Sequence, residues 1–237
     1  MQSRLINASM LALLAAAGAA NAGVVKEPHF DCLIDVAGGS LVTAAIGEDE
    51  DPASIILGAR VFGAEMGELP FGPGEGDEPG FQGYNFAEGT AFTFDVRSSL
   101  GEWNGSSFDA SISTMTIAAS LADPFLPSVT TGAGFVPGFQ FTSAGADGRI
   151  HQHLEFRVNG PTTGLGAIYL LELQVSSPSF GTTPAFWFVF NDGAAEEDHE
   201  AAIAWVESNL VPTPGAGVAL LGVLGFGGRR RQRRQAR

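Results

Sequence analysis

The middle of this chain is cut into short extended runs, and that punctuation limits the folds open to it. Residues 40–46, 54–62, 91–97, 107–118, 138–143, 149–158, 167–175 and 185–190 each carry strand-type patterning, and clusters of Gly, Pro, Asn and Asp separate them. Many short strands joined by polar turns predict a mainly β fold, an antiparallel β-sandwich or jelly-roll-like domain, over a parallel α/β one. Phe186-Trp187-Phe188-Val189-Phe190 is apolar on both faces, as a strand in the middle of the packing would be. One C-terminal helix is predicted. Asn191 or Asp192 would cap it, Glu196, Glu197 and Asp198 favour its first turn, and the pattern runs on to Leu210. His199, Ile203, Val206 and Leu210 share one stripe of that helix.

The two ends read differently from the middle. Arg4 followed by the apolar run Met10 to Ala20 and the small-x-small triplet Ala20-Asn21-Ala22 predicts a secretory signal peptide over residues 1–22, with cleavage before Gly23. The run is too short for a membrane span of about 20 residues. At the other end, Val211-Pro212-Thr213-Pro214 precedes an apolar, glycine-rich stretch from Gly215 to Gly228 and then Arg229, Arg230, Arg231, Arg233 and Arg234. This order of prolines, short apolar segment and arginine cluster over residues 211–237 resembles the PEP-CTERM sorting signal, with Thr213 where that signal carries Glu. The resemblance implies a short transmembrane sorting tail and an exosortase-type processing enzyme as a partner. Terminal arginines would keep the end of the tail on the cytoplasmic side.

The chain's formal net charge is −14. Between the two end segments only Lys26, Arg60, Arg97, Arg149 and Arg157 are cationic, against 26 acidic residues. A domain so acidic, over residues 23–210, repels nucleic acid and anionic lipid and draws cations toward its surface. No nucleic-acid partner is expected, and a membrane only through the sorting tail. Glu48-Asp49-Glu50-Asp51 and Glu75, Asp77 and Glu78 read as solvated loops without the spacing of a calcium-binding loop. Cys32 is the single cysteine, so no internal disulfide forms; it sits on the apolar face of an alternating run and reads as a small buried hydrophobe.

The four histidines are the informative polar residues. In the run 149–158, Ile150, Leu154, Phe156 and Val158 form an apolar face, and Arg149, His151, His153, Glu155 and Arg157 form the other. Two histidines at i and i+2 on a strand stand about 6.5–7 Å apart, and imidazole arms from there can converge on one ion. His29 and Asp31 repeat the spacing, a pattern that is most often a solvated strand edge. The expected site gathers His29, His151, His153 and His199, with Asp31 or Glu155 as further ligands or hydrogen-bond acceptors. Imidazole-rich ligation suits zinc first, then copper or nickel. The sequence carries no nucleophile elbow, P-loop, dinucleotide fingerprint or HExxH helix. No catalytic residue is assigned, and a hydrolytic zinc with Glu155 as base is permitted rather than indicated.

Several stretches together resemble one family. These are Glu102-Trp103-Asn104-Gly105-Ser106, Gly134-Phe135-Val136-Pro137-Gly138-Phe139 and His151-Gln152-His153-Leu154. Ile168-Tyr169-Leu170-Leu171-Glu172-Leu173, the aromatic run ending at Asn191, and Glu196-Glu197-Asp198-His199-Glu200-Ala201-Ala202 complete the set. With the tail they are similar to Zur-repressed PEP-CTERM proteins, whose genes answer to a zinc-uptake repressor. The resemblance implies a zinc-linked role outside the inner membrane, carried at His151, His153 and His199. The expected protein is therefore an exported, cell-surface or extracellular zinc binder serving capture or buffering under zinc limitation. The alternative is a structural or adhesive matrix protein that meets exopolysaccharide through aromatics such as Trp103 or Tyr84.

Overall fold

A computed structural model describes residues 30–47 and 54–212. Residues 1–29, His29 among them, the acidic stretch 48–53 and residues 213–237 lie outside the described residues. Among the described residues no helix is long and apolar enough to cross a membrane. The fold is mainly β, with three sheets and one helix among the described residues.

The first sheet runs in the order β13 (Ile150–Gln152), β6 (Phe81–Gly83), β1 (Phe30–Ala37), β2 (Ser40–Gly47) and β3 (Ile55–Leu57). Its central hairpin follows from local chemistry. Gly38 and Gly39 take φ of +60° and +85°, so a two-residue turn joins β1 and β2 in the register Ala37 to Ser40. The second sheet runs β11 (Ser128–Thr130), β10 (Thr114–Ala118), β14 (Glu155–Asn159) and β5 (Glu75–Gly76). The third and largest runs β12 (Val136–Ser143), β7 (Ala91–Val96), β15 (Ala167–Ser177), β17 (Phe186–Asp192) and β4 (Val61–Glu65). Three short strands, β8 (Gly101–Trp103), β9 (Phe108–Ala110) and β16 (Gly181–Thr182), extend it around β15.

The inner faces of all three sheets meet in one core. Cys32, Ile34 and Phe81 from the first sheet, Met115, Ile117 and Phe156 from the second, and Phe62, Phe94 and Phe188 from the third are fully buried in it. Layered sheets around a shared apolar interior agree with a β-sandwich. Period-two patterning explains most of this. β7 alternates between half-buried Ala91, Thr93 and Asp95 and buried Phe92, Phe94 and Val96. In β17 every residue is buried, because Phe186, Phe188 and Phe190 face the core while Trp187 and Val189 face the helix. Ala202, Ile203 and Val206 of α1 (Glu196–Asn209) close that outer face.

Three expectations change. The sheets are mixed, since β17 pairs parallel with β4 and β1 parallel with β6. The runs 54–62, 107–118 and 149–158 each divide into two strands that belong to different sheets. The chain leaves one layer and enters another at each break, which alternation alone cannot signal. Asn191 and Asp192 do not cap the helix; they end β17, and Ala195 stands at the cap position without a side-chain hydrogen bond. Asn191 braces the intervening turn by accepting from the Ala194 amide at 2.7 Å, and Asp192 accepts from the amides of Gly74 and Gly164.

Candidate metal centres

The first cluster forms where the chain changes sheets. His151 lies in β13 and pairs with Gln82 of β6, whereas Glu155 opens β14 in the second sheet, so His153 sits at the corner between them. The two imidazoles incline toward each other, with their Nε2 atoms 3.0 Å apart. Beneath them Asp31 of β1 is fully buried, its Oδ2 atom 3.8 Å from His151 Nε2. The Asp31 and two histidine ligand atoms all lie within 4.8 Å of one another. Two ligands of one zinc ion, each about 2.0–2.2 Å from it, stand roughly 3–3.5 Å apart, so the cluster needs only small adjustments to hold one.

Each member of the cluster is aimed by its surroundings. Asp31 Oδ1 accepts from the Gly80 amide at 2.7 Å, and Oδ2 accepts from the Gln82 side chain at 2.9 Å. Gln82 in turn accepts from the Tyr84 hydroxyl at 2.6 Å, and the Arg149 guanidinium lies 4.9 Å above the Tyr84 ring. On the far side of His153, Nδ1 faces the Asp77 carbonyl at 3.3 Å and Glu78 Oε1 at 3.3 Å. A carbonyl can only accept, so a proton on Nδ1 leaves the Nε2 lone pair turned toward His151 and Asp31. Gly80 makes this closeness possible. A Cβ there would stand 2.7 Å from both Asp31 Oδ1 and His153 Cε1. Burial and the neighbouring Glu78 push the Asp77 carboxyl up from its ordinary range, against the pull of His153. The side chain of His151 is 59% exposed, so the cluster opens to solvent on that side.

His199 belongs to a second cluster. Its fully buried ring reaches Glu65 Oε1 of β4 at 3.4 Å and Glu196 Oε2 of its own helix at 3.9 Å, both through Nδ1. Burial works to lower the His199 pKa, but Glu65, the Val189 carbonyl and Glu196 outweigh it and raise the value. Glu65 is steadied by Asn191, whose amide donates to Oε1 at 3.0 Å. A narrow crevice lined by Phe30, Glu65, Glu68, Glu78 and Pro79 touches Glu65 of this cluster and Glu78, the carboxylate that faces His153. Its room of about 10 Å³ is near that of a single water molecule.

The expected single site is thus divided among the described residues. His151, His153 and Asp31 come together, and His199 sits with Glu65 and Glu196 instead. Glu155 joins neither; its carboxylate accepts from the Leu121 amide and from Ser120 Oγ. His29 lies outside the described residues. Asp31 is no solvated edge residue but a buried carboxylate, and Glu75, Asp77 and Glu78 are half-buried rather than free in a loop, with Glu75 accepting from Arg157 at 2.6 Å. Cys32 is fully buried as expected; burial first, and Asp31 second, push its thiol well above the ordinary range. Sequence reasoning missed Glu65, Glu78 and Glu196, because a carboxylate in so acidic a chain carries no signal by itself. Trp103 packs against Phe108 and Trp205, and Tyr84 lies under Arg149, so the aromatics named for sugar stacking already have partners.

Fold and clusters define a mainly β protein with, among the described residues, two groups of histidine and carboxylate side chains that could hold a metal ion. Comparison with protein-family models, with curated proteins and with solved structures found no match.

Proposed function

We propose that this is an exported zinc-binding protein that captures or buffers zinc outside the inner membrane when the metal is scarce, and that Asp31, His151 and His153 are its binding site. The observation that carries the reading is the pair of imidazole Nε2 atoms 3.0 Å apart beside a buried, doubly hydrogen-bonded carboxylate. Two nitrogens and one oxygen suit zinc, and the exposed His151 side leaves a coordination position for exchange with a carrier or solvent. An acidic surface raises the local concentration of divalent cations, which serves capture at low metal. Export rests on the signal-type segment 1–22 and delivery to the cell surface on the tail 211–237, processed by an exosortase-type enzyme.

Calorimetric titration of the full chain with Zn²⁺ in mild detergent at neutral pH tests the site. Binding in the micromolar range or tighter, abolished at this site by His151→Ala with His153→Ala, is the expected result. Affinity no better than millimolar, or binding untouched by the double substitution, rejects it. Export is tested separately by N-terminal sequencing of the secreted form, which should begin at Gly23.

A further inference from the structure

The His199 imidazole is fully buried, yet one of its nitrogens has no hydrogen-bond partner. Nε2 lies 2.9 Å from the Val189 carbonyl oxygen. Since that oxygen can only accept, Nε2 carries the proton, and Nδ1 in the neutral ring presents a lone pair. That lone pair faces Glu65 Oε1 and Glu196 Oε2, two further electron-rich groups. With the ring neutral, three acceptors are aimed at one point and repel one another unless a cation, either a proton on Nδ1 or a metal ion, lies among them. A ring whose outer N–H is fixed by a backbone carbonyl, with its inner nitrogen turned to carboxylates, has the arrangement of a metal-ligating histidine.

We propose that Glu65, Glu196 and His199 form a second, structural divalent-cation site, separate from the Asp31–His151–His153 cluster. The three ligand atoms lie within 4.8 Å of one another. The Nδ1 to Glu65 distance of 3.4 Å matches the roughly 3–3.5 Å between two ligands of one zinc ion. The 3.9 Å to Glu196 is longer, and that side chain, about half exposed, has the freedom to close. One nitrogen and two carboxylate oxygens suit a divalent transition metal, with solvent completing the shell. Glu65 belongs to β4 and the other two ligands to the first turn of α1, so a bound ion fastens the helix to the sheet it covers. The buried ring and half-buried Glu65 make this a slow-exchanging centre, unlike the open first cluster.

The site is tested in the full chain carrying His151→Ala and His153→Ala, titrated with Zn²⁺ alone at neutral pH. This variant is expected to keep one equivalent of binding, and a hundredfold excess of Zn²⁺ over Kd should raise its Tm by roughly 5 °C or more. Adding Glu196→Gln, at an exposed position that leaves the core intact, should weaken the remaining binding at least tenfold. In ¹⁵N spectra the Nδ1 resonance of His199 should move on metal addition. If the wild type binds one equivalent and the double variant none, the second site does not exist and the first stands. If the wild type's single equivalent survives in the double variant, the first site is the one that fails. Unchanged affinity after Glu196→Gln, or a His199 Nδ1 that stays protonated at saturating Zn²⁺, reduces the cluster to an ion pair and overturns the inference.

Discussion

Gln82 donates from its side-chain amide to Asp31 Oδ2 at 2.9 Å, across the parallel pairing of β6 with β1. The same amide's oxygen accepts from the Tyr84 hydroxyl, so a surface ring and a buried carboxylate are linked through one residue. Such outer partners fix the direction in which a ligand oxygen points and commonly change metal affinity by about 10–100-fold when removed.

Gln82→Leu should therefore leave Asp31 Oδ2 and the Tyr84 hydroxyl without this partner. Zinc affinity at the first cluster is expected to fall about tenfold. Calorimetry alongside His151→Ala checks it; an unaltered affinity would show that Asp31 is positioned by the Gly80 amide alone.

Gly80→Ala inserts a methyl group between Asp31 and His153, where the nearest atoms would stand 2.7 Å away. The His153 ring must swing aside, because Asp31 is fully buried and held by backbone. A stability loss of about 1–3 kcal/mol is expected from overpacking, together with weaker zinc binding. Urea denaturation and metal titration on the same variant read the two effects independently. Stability within error of the parent would mean that the loop opens freely.

Phe188→Ala removes a fully buried ring at the centre of the core, where it meets Phe62, Phe81, Phe156, Phe186 and Phe190. The expected cost is about 3–5 kcal/mol, the range for truncating a buried phenylalanine. Chemical denaturation measures it, and a loss below about 1 kcal/mol would contradict the central position of β17.

Glu207 on α1 has a buried carboxylate oxygen without a hydrogen-bond partner, and burial raises its pKa above the ordinary value of 4.5. A raised folded-state pKa means that the folded protein binds the proton more tightly than the unfolded chain. The associated stability is complete below about pH 4.5 and is lost as pH rises through the folded value. Glu207→Gln should therefore raise Tm at pH 7 by about 1–3 °C and make no difference in mild acid. Thermal melts at both pH values decide it; an equal shift at each would place the effect outside ionisation.

Much of the architecture was readable from residue spacing. Alternation in the run 91–97 located the buried face of β7, and the doubly apolar run at Phe186–Phe190 located the middle strand, because burial on two faces leaves no polar position. The stripe of His199, Ile203 and Val206 located the buried side of α1. Less was readable of where strands end. Residues 149–158 alternate except at Gln152, a polar residue at an apolar position, and it is beside that break, at His153, that the chain turns a corner and changes sheets. A period of two records which way a side chain faces, not which sheet it faces from.

The sequence by itself determined a β-rich acidic domain with one late helix, the burial of Cys32, and the presence of His151 and His153 on a common face, since each follows from short-range periodicity and composition. Only the tertiary structure decided that Asp31 would be buried beside those two rings and that His199 would be held apart with Glu65 and Glu196. Asp31 lies 120 positions before His151 and Glu65 lies 134 before His199, whereas Glu196 is a near neighbour in the same helix. What joins them is the choice of neighbouring strands, β6 beside β1 and β4 beside β17, which long-range packing makes and local pattern cannot.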